Sequence, residues 1–248
     1  MSSSLNHALP GWCHSSALEV SLLGLTELAA ALTLQDRMAA DLAERQDRRG
    51  VLLLCEHPLG ISFGREGSAA DLFADRYELT ARGVPVEWLR RGSGAWAHHG
   101  GQLVAYLLVP YLRCGLSALA VRDRLVASLV DVAREFGVAG EPAERPGVRG
   151  RCGQFGFVGV SVGNGITQFG ACLNVSVPRG VLQLVRWGPD VRPSCLAAER
   201  MRPTAMAAVR ESWVRHLAAR FEYEQVHVWT GHPWLRRTVR RGVVCVES

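Results

Sequence analysis

The residues best suited to chemistry lie in one glycine-rich segment, residues 90–104, which reads Arg-Arg-Gly-Ser-Gly-Ala-Trp-Ala-His-His-Gly-Gly-Gln-Leu-Val. Dense glycine lets the main chain approach a ligand closely, while Arg91, His98 and Gln102 carry polar groups that can fix the ligand in place. A tight loop whose glycines serve only its turns would have the same composition. The segment therefore predicts either a binding site or a structural loop, and composition leaves both open.

The composition excludes every mechanism that needs a lysine, because all 28 basic residues of the 248 are arginine. An arginine stays protonated near neutral pH, whereas a buried lysine can lose its proton and act as a base. The phosphate-binding loop of nucleotide hydrolases is excluded as well, since its motif contains a lysine. The net charge of +5 suits an acidic partner, such as an acidic carrier protein or a nucleic acid.

The cysteines are the remaining candidate nucleophiles. Their number is odd, they are scattered, and none forms a CxxC pair, which is typical of reduced thiols in a cytoplasmic protein rather than of a disulfide framework. No apolar run reaches the roughly 18 residues of a membrane helix, so no membrane association is expected. The seven are Cys13, Cys55, Cys114, Cys152, Cys172, Cys195 and Cys245.

Neither a metal, a cofactor nor a nucleic acid is expected. The adjacent pairs Cys13-His14 and His98-His99 would point to opposite sides of a strand, and no second pair has zinc-ligand spacing. His227 and His232 are equally unsupported as ligands. The arginine pairs of residues 236–241 are read as a solvated face, because no stacking aromatics are interleaved with them in a recognised order.

Hydrophobic spacing predicts an α+β fold, because helices and strands mix without strict alternation. Thr26 is expected to cap the first helix, Gly137 to end the second, and Gly163-Asn164-Gly165 to turn a hairpin. Residues 1–16 are expected to be loose, 17–225 to form the domain, and 226–248 to form a C-terminal extension packed on it or trailing from it. The expected helices span residues 26–46, 117–136 and 204–221, and the expected strands 51–55, 84–89, 103–109, 158–162 and 166–175.

Ordered blocks of this sequence resemble the motifs of the LipB-type lipoyl(octanoyl) transferase family. Each block is weak alone, but their order and spacing over residues 17–225 are fairly specific. The blocks are Cys55-Glu56-His57-Pro58 with Gly64 and Gly67, residues 91–104, Pro146-Gly147-Val148 followed by 158–162, and Leu173-Asn174-Val175.

The resemblance implies a mixed sheet with flanking helices, as in biotin and lipoate protein ligases. The family moves an octanoyl group from acyl carrier protein to the lysine of a lipoyl domain, through a cysteine thioester and with a lysine in proton transfer. Acyl carrier protein and lipoyl domains are therefore the expected partners. The residues that the resemblance implies for substrate binding are Arg91, Gly92, His98, Gly101, Gln102 and Asn174.

The sequence departs from the family at the two positions that carry the chemistry. Counted from Pro146, the family's lysine falls on Gln154, and counted from Leu173, its cysteine falls on Gly188. Gln cannot exchange a proton at neutral pH. Trp96 and Trp187 replace smaller family residues and are large enough to fill the space of an octanoyl chain, although both could pack elsewhere.

Three functions remain open on these grounds. The first is a family member that has lost octanoyl transfer wholly or nearly. The second is an active acyltransferase in which Cys195 or Cys152, or less directly Cys172, acts as nucleophile with His98 as its base. The third is a binding module without a small ligand, its former pocket filled by the two tryptophans. The second function requires a cysteine sulfur within hydrogen-bond distance of His98, beside an open channel.

Overall fold

The fold is a mixed sheet with helices on both faces, and this computed structural model describes residues 16–235. The strands are β1 Ala17–Leu25, β2 Gly50–Glu56, β3 Gly60–Phe63, β4 Val86–Trp88, β5 Ala95–His98, β6 Gln102–Leu108, β7 Glu141–Pro142, β8 Gly147–Arg149, β9 Gln154–Gly163, β10 Ile166–Asn174 and β11 Gln225–Thr230. The helices are α1 Leu28–Glu44, α2 Arg76–Ala81, α3 Ala118–Glu135, α4 Arg179–Leu182, α5 Leu196–Arg200 and α6 Met206–Arg220.

The strands form a large sheet of order β11-β1-β2-β6-β10-β9-β8-β7 and a small sheet of order β4-β3-β5. In the large sheet β1 is parallel to both β2 and β11, and the other pairs are antiparallel. One face of the large sheet packs against α1 and the small sheet, and the other packs against α3 and α6. The predicted α+β class, with a mixed sheet and flanking helices, is confirmed.

Most of the predicted elements are present. The three predicted helices appear as α1, α3 and α6, and the predicted hairpin as β9 and β10 around Asn164 and Gly165. Gly137 follows the end of α3 with φ 75°, and its N–H donates to the carbonyl of Arg134, which is how a glycine ends a helix.

Two local predictions were wrong, and one strand was missed. Thr26 does not cap α1, because Glu27 occupies the cap position and the Thr26 hydroxyl turns back to the carbonyl of Leu23 at 3.4 Å. The strand expected over residues 84–89 is reduced to Val86–Trp88, because Val84 pairs instead with the carbonyl of Leu79 after α2. No strand was predicted before Thr26, where the structure has β1.

The predicted boundary between residues 225 and 226 falls inside β11. This strand pairs in parallel register with β1, from Ala17 opposite Gln225 to Leu22 opposite Thr230, so residues 226–230 are part of the large sheet. The loose segment expected over residues 1–16 lies outside the described residues except for Ser16, and so does the extension beyond residue 235. No helix between residues 16 and 235 is long and apolar enough to cross a bilayer.

Candidate functional site

Three of the predicted binding residues form one buried chain of hydrogen bonds. His98 ends β5 and Gln102 begins β6, and the turn through Gly101 (φ 91°) brings the two side chains together. The Nδ1 atom of His98 lies 2.8 Å from Oε1 of Gln102, whose Nε2 donates to Oδ1 of Asn174 at 2.9 Å. Asn174 in turn donates to the carbonyl of Ser194 at 3.2 Å. The resemblance therefore grouped residues whose side chains are in contact. Their polar groups form hydrogen bonds with one another and with the main chain.

Arg91 joins the same cluster from the other side. Its Nη2 donates to both the carbonyl and the hydroxyl of Ser62, each at 2.8 Å, and that hydroxyl lies 2.8 Å from Nε2 of His98. The guanidinium lies 3.7 Å from the ring centre of Trp96, a cation–π contact, and its buried Nε has no hydrogen-bond partner among residues 16–235. Burial lowers the pKa of Arg91 to about 9, since it penalises the charged form.

The two predicted binding glycines serve main-chain packing. The N–H of Gly92 donates to the carbonyl of Val160 at 3.2 Å, which brings the turn against β9. The N–H of Gly101 donates to a carboxylate oxygen of Glu56 at 2.8 Å, and its carbonyl accepts from Val175 and Ser176. Residues 90–104 are thus not a loop throughout, because β5 and the start of β6 lie within them.

A second buried histidine lies beside this cluster and was not among the predicted site residues. His57 contacts the carbonyl of Thr26 through Nδ1 at 2.7 Å and the hydroxyl of Tyr106 through Nε2 at 2.8 Å. Its ring centre lies 5.3 Å from that of His98. Burial lowers the pKa of His57 to about 4, and burial also holds the pKa of His98 well below its usual value. Both rings are therefore neutral near pH 7.

Because these two histidines are buried in the neutral form, we expect the folded protein to lose stability in acid. The folded chain resists protonation down to about pH 4, whereas the unfolded chain takes up the proton below about 6.5. The free energy of unfolding should therefore fall as the pH falls from about 6.5 to about 4, by roughly 1.4 kcal/mol per pH unit for His57, and His98 should add to the fall in the same direction. Urea unfolding at pH 7.5 and pH 5 measures this slope. The variant His57→Gln should flatten it, and an unchanged slope in that variant would contradict this origin.

The space beside Arg91 and Trp96 is almost closed. A cavity of about 10 Å³ remains there, which is enough for one water molecule, whereas pockets for small ligands measure roughly 300–1,000 Å³. Trp96 is 3% exposed and lines this cavity. Trp187 does not line it, and packs instead on Phe157 with ring centres 4.5 Å apart. Of the two tryptophans expected to fill an acyl pocket, Trp96 is the one at this cavity.

Gln154, the position matched to the family's lysine, lines a surface cleft, and Gly188, the position matched to the cysteine, precedes Pro189 of the same lining. The Nε2 atom of Gln154 donates to the carbonyls of Arg145 and Gly156 at 3.2 and 3.1 Å. Gly188 has φ 151°, and a Cβ atom built on it would overlap Nε, Cδ and Cζ of Arg145. Arg145 therefore occupies the space into which a side chain at position 188 would project.

The cleft itself is open and polar, and its lining carries four arginines (Arg145, Arg149, Arg151 and Arg192) against three acidic residues, Glu66, Glu144 and Asp190. It has a volume of about 840 Å³. Arg145 pairs with Glu66 at 3.3 Å and Arg149 with Glu141 at 2.6 Å, while Arg151 and Arg192 have no acidic partner among residues 16–235. Four arginines against three acidic residues leave an excess of one positive charge, and the two arginines without an acidic partner can bind an anion.

The cysteines proposed as relocated nucleophiles do not meet His98. The N–H of Cys152 donates to the Glu199 carboxylate at 2.9 and 3.1 Å, and Cys195 is the residue before α5. Among the described residues, the cysteine sulfur within hydrogen-bond distance of a histidine nitrogen is that of Cys55, 3.6 Å from His57. Cys172 is buried in β10, and burial raises its pKa to about 12. The geometry required for a relocated cysteine and His98 is therefore absent from this part of the chain.

Sequence reasoning missed Ser62, Tyr106, Glu66 and Arg145. Tyr106 lies in the strand expected over residues 103–109 and was given no role, and the other three lie in segments without periodicity. Only tertiary contacts bring them to the site. No group of three or more His, Cys, Asp and Glu side chains within residues 16–235 is placed to hold a metal ion.

The mixed sheet and the glycine-rich turn between β5 and β6 define a chain with the biotin/lipoate protein ligase-like fold. A solved structure of a bi-partite lipoate protein ligase and its E2 lipoyl domain from Thermoplasma acidophilum superposes with a TM-score of 0.67 at 15% identity, covering 87% of each chain. At that identity the likeness concerns the fold alone.

The sequence comparisons give the family. The model of the lipoyl protein ligase A/B catalytic domain matches residues 27–193. The octanoyltransferase of Roseiflexus sp. (strain RS-1) is 33% identical over 226 residues, 88% of this chain and 92% of that protein. The octanoyltransferase of Chloroflexus aggregans is 31% identical, covering 85% of this chain and 97% of that protein. This chain belongs to the lipoyl protein ligase A/B family and is a LipB-type member of it.

Proposed function

We propose that this protein is an octanoyltransferase-family member that has lost octanoyl transfer and acts by binding. The observation that carries the proposal is Gly188, which stands where the family resemblance puts the nucleophilic cysteine. The space that a side chain at this position would need is occupied by Arg145. Without a thiolate there, no thioester forms at this position. Loss of the nucleophile of a catalytic unit costs on the order of a millionfold in rate.

The proton-transfer position supports the same proposal. Gln154 takes the place of the family's lysine, and its amide nitrogen is already engaged by two main-chain carbonyls. An amide neither takes up nor releases a proton near neutral pH. Both halves of the family's cysteine and lysine pair are thus replaced by groups without acid–base or nucleophilic chemistry.

The closed interior is the third support. An eight-carbon acyl chain needs many times the space of one water molecule, whereas the cavity beside Trp96 measures about 10 Å³. A protein that binds through its surface does not need that space. The arrangement favours the binding module with a filled pocket over an active transferase that uses Cys195 or Cys152, neither of which contacts His98.

The partner proposed for the cleft is an acidic protein face, namely that of acyl carrier protein or of a lipoyl domain. Arg151 and Arg192 form no ion pair among residues 16–235, and Glu144 and Asp190 in the same lining offset part of their charge. The solved archaeal relative was studied with its lipoyl domain, which makes a lipoyl domain a reasonable first partner to test. The scattered cysteines favour action in the cytoplasm.

The test measures octanoyl transfer and binding together. Octanoyl-acyl carrier protein and a lipoyl domain are incubated with this protein, and the mass of the lipoyl domain is measured by mass spectrometry. A parallel reaction with an active octanoyltransferase is the control. We expect no octanoyl-lipoyl domain above the enzyme-free reaction, and a complex with one of the two proteins that weakens with added salt. Transfer within a hundredfold of the control would overturn the loss of activity, and the absence of both complexes would overturn the binding role.

A further inference from the structure

Strand β11 forms an open edge of the large sheet. Among residues 16–235 no strand pairs with its outer side, since β1 lies on its inner side. The N–H of Gln225 donates to the carbonyl of Ser16, and that of Gly231 donates to Leu22, so the odd-numbered residues direct their main-chain groups toward β1. In a parallel pair the bonding residues alternate along a strand. Val226, Val228 and Thr230 therefore point their N–H and C=O groups outward.

This edge lacks the devices that keep sheet edges from pairing. All six residues of β11 are exposed, and the strand Gln-Val-His-Val-Trp-Thr contains neither a charged residue nor a proline. Natural edge strands are protected by such residues, by bulges or by being very short. The opposite edge, β7, is protected in this way, because it consists of Glu141 and Pro142 alone. Among residues 16–235, β11 is therefore a terminal strand of the large sheet that carries none of these protections.

An apolar groove runs beside the same edge. It lies between β11 and α6, has a volume of about 490 Å³, and is lined mainly by aliphatic side chains. Val228 is 53% exposed there. Three charged residues of α6 line it, namely Arg210, Glu211 and Arg215, and Arg215 is already paired with Glu135 at 2.8 Å. The apolar members of the lining are Leu22, Ala207, Val214, Ala218, Val226 and Val228.

We propose that β11 pairs antiparallel with β11 of a second copy of this chain, around a two-fold axis that passes through Val228. The register is self-complementary, because Val228 then faces Val228 of the second copy, and Val226 faces Thr230 of the second copy. Each of these residues directs its main-chain groups outward, so the pairing forms up to about six hydrogen bonds. It also extends the large sheet continuously across both copies.

The side chains fit a second copy as well as the main chain does. A two-fold contact sets the same patch against itself. The α6 side of the groove in one copy then faces the α6 side of the groove in the other copy. Arg210 of one copy can there pair with Glu211 of the other. The exposed valines of both strands are covered at the same time, which removes apolar surface from water. Because a two-fold contact uses the same side of β11 in both copies, the assembly closes as a dimer and does not continue into a fibre.

The test uses the full chain and a substitution that removes one outward N–H. Val228→Pro deletes the central donor of the proposed pair and leaves the bonds from β11 to β1 intact, since those use odd-numbered residues. Val228→Thr, which keeps the N–H and the branched shape, is the matched control. We expect the wild-type chain and Val228→Thr to sediment at twice the monomer mass at micromolar concentration. We expect Val228→Pro to sediment as a monomer with a far-ultraviolet circular dichroism spectrum like that of the wild type.

A charge exchange keeps the proposal testable if the proline variant fails to fold. Arg210→Glu and Glu211→Arg should each weaken the dimer at least about fivefold, and the double variant should restore it, because the pairing of opposite charges is recovered. A wild-type chain that stays monomeric up to about 100 μM overturns the proposal. So does protection of the Val228 amide from hydrogen exchange that is independent of protein concentration, since residues 236–248 of the same chain would then cover the edge.

Discussion

Replacing Gly188 by cysteine is expected to destabilise the protein by about 2–4 kcal/mol and to leave it without acyl transfer. The main chain at this position has φ 151°, a conformation that residues with a side chain rarely adopt. The new Cβ would also overlap three atoms of Arg145, which must move and break its contact with Glu66 at 3.3 Å. Restoring the family's residue type therefore does not restore the family's site.

The matched control for that variant is Gly180→Cys. A Cβ at Gly180 would meet no atom within 4 Å, and this residue lies in the short helix α4. We expect Gly180→Cys to change the free energy of unfolding by less than about 1 kcal/mol in urea titrations. Adding Arg145→Ala to Gly188→Cys should recover part of the loss, because it removes the overlap but not the backbone strain. If Gly188→Cys is as stable as Gly180→Cys, the account of this position is wrong.

Replacing Trp96 by alanine is expected to have the larger effect on stability, about 3–5 kcal/mol. The ring is 3% exposed, it lies under the Arg91 guanidinium at 3.7 Å, and it lines the remaining cavity. Its removal leaves a void and withdraws the cation–π contact from a buried charge. Urea unfolding measures the loss, and Trp88→Ala is the control, because that ring is 60% exposed.

The same variant tests whether Trp96 closes the acyl space. The void left by the ring joins the cavity that is lined by Leu28, Leu89 and Phe169. Engineered apolar cavities bind apolar ligands of matching size. Octanoic acid at millimolar concentration should therefore raise the melting temperature of Trp96→Ala by several degrees and leave that of the wild type unchanged. Equal shifts in the two proteins would mean that Trp96 does not close the space.

The parts of the fold that local spacing governs were predictable from the sequence. The helix α3 was found because its apolar residues recur at every third or fourth position, and the hairpin because Asn164 and Gly165 favour its turn. Strand β1 was missed because its apolar run gives no turn signal before the helix that follows. Strand β5 was missed because its partner β3 lies more than 30 residues earlier in the chain.

Composition pointed to Arg91, His98 and Gln102 of the glycine-rich segment, and the resemblance added Asn174 to the site. Asn174 and Gln102 are 72 residues apart and were grouped through the family motifs, not through any spacing. Arg145 gave no signal at all, because its role follows from a glycine 43 positions away whose missing side chain leaves room for it. Likewise Ser62 connects Arg91 to His98 only after β3 and β5 have paired.

The most direct test of the central claim is the intact mass of this protein after incubation with octanoyl-acyl carrier protein. The account predicts an unchanged mass, whereas an active octanoyltransferase run beside it gains one octanoyl group. A gain of one octanoyl group on this chain, abolished by replacing a single cysteine with serine, would contradict the account and would identify a working nucleophile elsewhere in the chain.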